Sequence, residues 1–138
     1  MSKRFLIGWL VVFVAWMAGS FVVHGVLLHA EYSKLPNLFR PPAEAQQYFA
    51  LMILAHVMMA GAFTWIYSRG AEAKAWPGQG VRFGIAAALL TVVPWYTIYY
   101  VVQPIPGGLA LSQAVFDAIV VVMLGLIVAF IYSGETRR

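Results

Sequence analysis

The chain has 138 residues, of which 62% are hydrophobic and 10% charged, with a net charge of +4 and no cysteine. Soluble domains sit nearer about 45–50% apolar and about 25% charged, so this chain has too little polar surface to cover a water-soluble globule. One domain fits the length; disulfides, thiolate metal sites, iron–sulfur clusters and c-type haem attachment are excluded together.

In chain order, Met1 to Arg4 is a short basic start, and Phe5 to Ala30 then runs without a formal charge. Ala18-Gly19-Ser20 mimics a signal-cleavage site, but the apolar run continues well past the ~7–15 residues of a signal core. It predicts a first membrane-spanning helix over 5–30, tilted or protruding because ~26 residues exceed a hydrocarbon core of ~30 Å. Glu31 to Glu44 (EYSKLPNLFRPPAE) reads as the longer connection, broken by Pro36, Pro41 and Pro42. The second span is predicted over 46–67, with Met52, His56, Met59 and Phe63 on one face at helical spacing.

Ser68 to Arg82 is the one markedly polar stretch, and its Pro77-Gly78-Gln79-Gly80 reads as a flexible turn. The third span, 83–102, contains Pro94, which removes the hydrogen bond to the Leu90 carbonyl and predicts a kink. Gln103 to Gly108 is a tight turn into the fourth span, 109–132. Gln46 to Phe49 and Gln113 to Phe116 share a Q-x-x-F frame after a proline, a faint parallel between the two helical hairpins.

The predicted fold is an all-α four-transmembrane-helix bundle. Lys3, Arg4, Arg69, Lys74, Arg82, Arg137 and Arg138 flank one side, against Lys34 and Arg40 on the other. That bias predicts both termini in the cytoplasm. With the basic residues at helix ends and no basic stripe in any polar segment, nucleic acid is not an expected partner.

Asp117 is the one carboxylate inside a span, and a charge at that depth normally faces protein or water. At ~1.5 Å rise per residue, His24 lies roughly 9 Å, His56 roughly 15 Å and Asp117 roughly 12 Å from the outer side. Gln113 is one turn from Asp117 on the same face, and Tyr96 and Tyr100 follow Pro94 at similar depth. These six residues define an expected polar pocket in the outer half of the bundle. Each also has a purely structural reading: core histidines, an interhelical hydrogen bond, an aromatic belt. His29, with Glu31 and Tyr32, is expected at the surface.

Three chemistries use such a pocket: a bis-histidine haem b, a metal held by His24, His56 and Asp117, or a lipid-like or quinone-like molecule. No cofactor is required, and phosphate-binding loops, Ser/His/Asp signatures and dinucleotide fingerprints are absent. No catalytic residue is assigned and no metal is expected.

The HGVLL end of span 1, the LPNLFRPPAE loop, AHVMMAGAFTWIYSRG, VPWYTIYYVVQPIPGG and VFDAIVVVMLG together carry a resemblance. The chain resembles small uncharacterised four-helix bacterial inner-membrane proteins of the domain-of-unknown-function type. The resemblance covers most of the chain and implies a bacterial inner-membrane location; it carries no functional residues.

The expected function is a non-catalytic accessory or binding subunit of a membrane complex, or a small homo-oligomer. Its partners would be the lipid bilayer and other membrane subunits or itself. A small transporter or channel-like proton or cation relay is the first alternative. A haem b or quinone-binding redox protein is the second.

Overall fold

The computed structural model describes residues 2–134. Arg137 and Arg138, counted above for topology, lie outside them. Among the described residues the regular structure is helical throughout. Helix α1 (Lys3–Ser20) continues into a π-helical segment (Phe21–Leu27), and the short α2 (His29–Ser33) follows. A short α3 (Pro42–Ala45) and a 3₁₀ turn (Gln46–Tyr48) lead into α4 (Phe49–Gly70). Next come α5 (Trp76–Leu90), α6 (Val92–Val102) and α7 (Gly107–Tyr132).

Four runs are long and apolar enough to cross a membrane: Lys3–Leu27, Pro42–Gly70, Trp76–Val102 and Gly107–Tyr132. They pack up-down-up-down. Gly8 lies beside Thr64 and Tyr132, Gly19 beside Val120, and Gly84 beside Val122, each pair running in opposite directions. The start of α1, the end of α7 and the 71–75 connection therefore share one end of the bundle, called the terminal end; α2, α3 and the turn at 103–106 form the distal end.

Three boundaries differ from the sequence reading, each for a local reason. The PGQG stretch is the start of α5, with Pro77 in the first turn, where a missing N–H costs nothing. Gln79 is buried and closes the 71–75 connection. Its amide accepts from the Glu72 N–H at 2.8 Å and donates to the carbonyls of Glu72 and Lys74 at 2.8 and 2.9 Å. The third span is interrupted at Thr91, whose hydroxyl donates to the Ala87 carbonyl at 2.7 Å and so serves a carbonyl other than that of Leu90. The first span breaks at Leu28, before the predicted end at Ala30, because the π segment closes with the Leu28 N–H on the Val23 carbonyl.

The tightest seam is between α5 and α7. Gly80 and Gly84, four apart on α5, face Gly125 of α7 so closely that a Cβ on Gly84 would stand 2.6 Å from the Val122 Cα. Small residues at this spacing let two helix backbones touch. In the terminal half, Val12, Thr64, Val121, Leu124 and Val128 are fully buried. An aromatic series there ties α4 to its neighbours: Trp16–Phe63 at 5.5 Å, Phe63–Phe83 at 4.6 Å, and Tyr67–Tyr132 at 5.7 Å. A second, smaller core of Val23, Leu28, Ile105, Leu109 and Ala110 closes the distal end. The polar residues sit between the two cores.

Candidate functional site

Asp117 is where three helical runs meet. Its Oδ2 accepts the Tyr96 hydroxyl from α6 at 2.5 Å and lies 3.1 Å from His24 Nε2 of the π segment. On the other side of the imidazole, His24 Nδ1 is 2.5 Å from the Tyr32 hydroxyl of α2. That hydroxyl accepts a bond from the Gln113 amide N–H at 3.2 Å. Gln113 is one turn before Asp117 on α7, so a single helix anchors both ends of the chain of bonds.

The polarity of the series follows from its fixed donors. Gln113 donates to Tyr32 oxygen, and Tyr96 donates to Asp117. Burial first, and then the Asp117 carboxylate, push the Tyr32 phenol above its ordinary value against the opposing bond from Gln113. Its proton therefore stays on at neutral pH and is available to His24 Nδ1. With Asp117 as carboxylate, Nε2–H then donates to Oδ2 and every proton in the series has an acceptor. A connected network of this kind holds its members in place.

The π segment supplies the local geometry. A π turn places more residues per turn than an α-helix, and such turns occur at functional positions. Here it carries His24, and the break at Leu28 lets α2 bring Tyr32 alongside; the two rings stack with centroids 5.9 Å apart.

His56 belongs to a neighbouring arrangement. Its Nδ1–H donates to the Met52 carbonyl at 2.8 Å, which leaves Nε2 to accept the Ser20 hydroxyl at 3.1 Å. Ser20 is one turn before His24, so α1 and its π extension hold both histidines. Of the six residues expected in one pocket, the structure joins His24, Tyr96, Gln113 and Asp117 in one bonded group. His56 shares a cavity with them through Ser20. Tyr100 stands apart: it is exposed, one turn beyond Tyr96, with its hydroxyl over Gly107 at the start of α7. Tyr32 and Ser20, absent from the expected pocket, are integral. Ser20 shared a helical face with His24 in the sequence; Tyr32 lies across the Leu28 break and carried no periodic signal.

Two cavities flank the cluster. A cleft of about 1170 Å³ opens between α4 and the interrupted third run. Phe21, Phe49, Met52, Met59, Leu90 and Trp95 make much of its apolar wall, and Ser20, His24, His56, Thr91, Tyr96 and Asp117 are its polar lining. It exists because the aromatic series holds α4 against α5 only in the terminal half, while the break at Thr91 redirects α6. A smaller cavity of about 350 Å³ lies at the distal end, lined by His24, Tyr32, Trp95, Tyr96, Tyr99 and Gln113 among others. His24, Trp95 and Tyr96 line both and so form the partition.

The donor set bears on the chemistries weighed above. Among the described residues, no group of three His, Cys, Asp or Glu side chains is placed to hold a metal ion. Axial ligation of a haem would take His24 Nε2 from Asp117 and His56 Nε2 from Ser20. Both imidazoles are oriented for hydrogen bonding. Compared with known proteins, the chain matches no family model, no curated protein and no solved structure.

Proposed function

We propose that the chain is a multi-pass membrane protein that binds, without catalysis, an amphipathic molecule entering its cleft from the bilayer. The observation that carries this reading is the 1170 Å³ cleft: its walls are largely apolar, with a few polar groups among them, Ser20, His24, His56, Tyr96 and Asp117 included. Binding sites of this type are mostly apolar with a few placed polar groups, and this one lies slightly above their usual ~300–1,000 Å³. The ligand's body lies against Phe21, Phe49, Met52 and Met59, and its head group meets Ser20–His56 and Asp117. A lipid-like or quinone-like molecule has that division.

A lipid environment is supported by the outer surface. Leu10, Phe21, Leu51, Met58, Leu90 and Phe130 are all more than half exposed, as suits helices whose solvent is hydrocarbon. The same faces serve other membrane subunits or a second copy. The basic bias favours cytoplasmic termini in a bacterial inner membrane. Reporter fusions at Arg138 and Asn37 are expected to report opposite compartments, cytoplasmic at the C-terminus. A periplasmic C-terminus overturns the topology.

The ligand is tested by purifying the full chain in lipid nanodiscs and identifying extracted small molecules by mass spectrometry. One enriched lipid-soluble molecule per chain is expected, together with quenching of Trp16 and Trp95 by an added short-chain benzoquinone. Met59→Trp, which fills the cleft, is expected to abolish both. Bulk lipid alone, unchanged by Met59→Trp, overturns the reading.

A proton relay is the second reading, favoured by the continuous series from Gln113 to Asp117. If Tyr32 gives its proton to His24 Nδ1 as Nε2–H passes to Asp117 Oδ2, one proton crosses the partition. Tyr32 then takes up a proton from the distal side and Asp117 releases one into the cleft that it lines, which resets the series.

A further inference from the structure

The distal cavity has a chemistry of its own. Tyr32 and Phe39 from the 28–41 connection, with ring centroids 4.7 Å apart, form one wall. Trp95 and Tyr99 of α6, 5.0 Å apart, form another, and Tyr96 closes the back. Five aromatic rings thus surround about 350 Å³. Directly behind them is Asp117, bonded to two lining residues, His24 and Tyr96. Among the described residues, no lysine or arginine lines the space. The two nearest in sequence are engaged elsewhere: Lys34 with Glu31 at 2.7 Å and Arg40 with Glu44 at 2.5 Å.

The hydrogen-bond inventory points the same way. Tyr32, Tyr96, His24 and Gln113 spend donors on one another and on Asp117. The amide oxygen of Gln113 is a buried acceptor with no partner among the described residues. That oxygen is sealed from the cavity, so recognition falls to the aromatic walls and the carboxylate behind them, which with no cation among the described lining residues match a cation and mismatch an anion. Aromatic faces carry partial negative charge and attract organic cations within about 6 Å.

We infer that the distal cavity is a binding site for a small alkylammonium ion. Its alkyl groups rest on the rings of Tyr32, Phe39, Trp95 and Tyr99, with the charge balanced by Asp117. This inference stands independently of the cleft and its ligand.

The test uses the full chain in nanodiscs of zwitterionic phosphatidylcholine, so that anionic lipid does not concentrate cations. Three probes of one shape are compared by saturation-transfer NMR: trimethylammonium, neutral tert-butanol and anionic pivalate. Trimethylammonium is expected to bind saturably, tert-butanol at least tenfold more weakly, and pivalate not at all. Phe39→Leu and Tyr99→Leu, which line the distal cavity and leave the cleft intact, are each expected to weaken trimethylammonium roughly three- to tenfold. Met59→Trp, which fills the cleft, is expected to leave it unchanged. The inference is overturned if tert-butanol or pivalate matches trimethylammonium. Absence of saturation also overturns it, as does binding insensitive to both ring substitutions.

Discussion

Asp117→Leu is expected to destabilise the bundle by about 2 kcal/mol, the low end for leaving two partly buried donors without their acceptor at about 1–3 kcal/mol each. The low end applies because the Asp117 and His24 side chains keep 16% and 33% of their accessibility. Leucine would leave the His24 Nε2–H and the Tyr96 hydroxyl without their acceptor. The sign of the effect is the discriminating quantity. A carboxylate facing lipid costs roughly 2.5–3.5 kcal/mol on insertion scales, so leucine in its place would stabilise. Asp117→Asn, which keeps the shape and one acceptor oxygen, is expected to cost less than Asp117→Leu. Reversible unfolding in bicelles measures both; a stabilised Asp117→Leu contradicts the site.

Gly125→Ala carries the other large effect. The added Cβ would stand 2.9 Å from the Gly84 Cα and closer still to the Gly80 carbonyl oxygen, all backbone that cannot turn aside. Overpacking typically costs about 1–3 kcal/mol, and the upper value or more is expected because two helices must separate. In hydrocarbon the loss falls on the contacts that matter most, since apolar burial between helices gains little there and close packing supplies the attraction. Gly108→Ala is the control. Nothing lies within 4 Å of its added Cβ, and replacing a helical glycine gains up to about 1 kcal/mol. Equal unfolding midpoints for the two variants would contradict the α5–α7 seam.

Those two positions also show what the sequence discloses. Asp117 was legible because a lone carboxylate in an apolar run has few tolerable positions, and rise per residue placed His24 and Tyr96 at its depth. Depth carries no azimuth, however. His56 at a similar level turns to Ser20 and the Met52 carbonyl, and Tyr100, on the same helical face as Tyr96, falls one turn too far along. The π segment was hidden because its seven residues, FVVHGVL, read as ordinary helix; the extra residue per turn follows from packing. Gly80 was hidden for the opposite reason. PGQG has turn composition, and only the partner glycine on α7 makes helix the better use of it. Tyr32 was out of reach because the break at Leu28 disrupts the periodicity that would have placed it beside His24.

The central claim is that His24 and Asp117 share one bonded site while His56 is held separately beside it. The geometry assigns opposite neutral tautomers to the two rings: Nε2–H on His24, donated to Asp117, and Nδ1–H on His56, donated to the Met52 carbonyl. Side-chain ¹⁵N NMR of the full chain in bilayers, with and without Asp117→Asn, reads this directly. The predicted result is two distinct tautomers at neutral pH, with the His24 nitrogens shifting in Asp117→Asn and those of His56 unmoved. Identical tautomers, or a His24 signal indifferent to Asp117→Asn, would contradict the account.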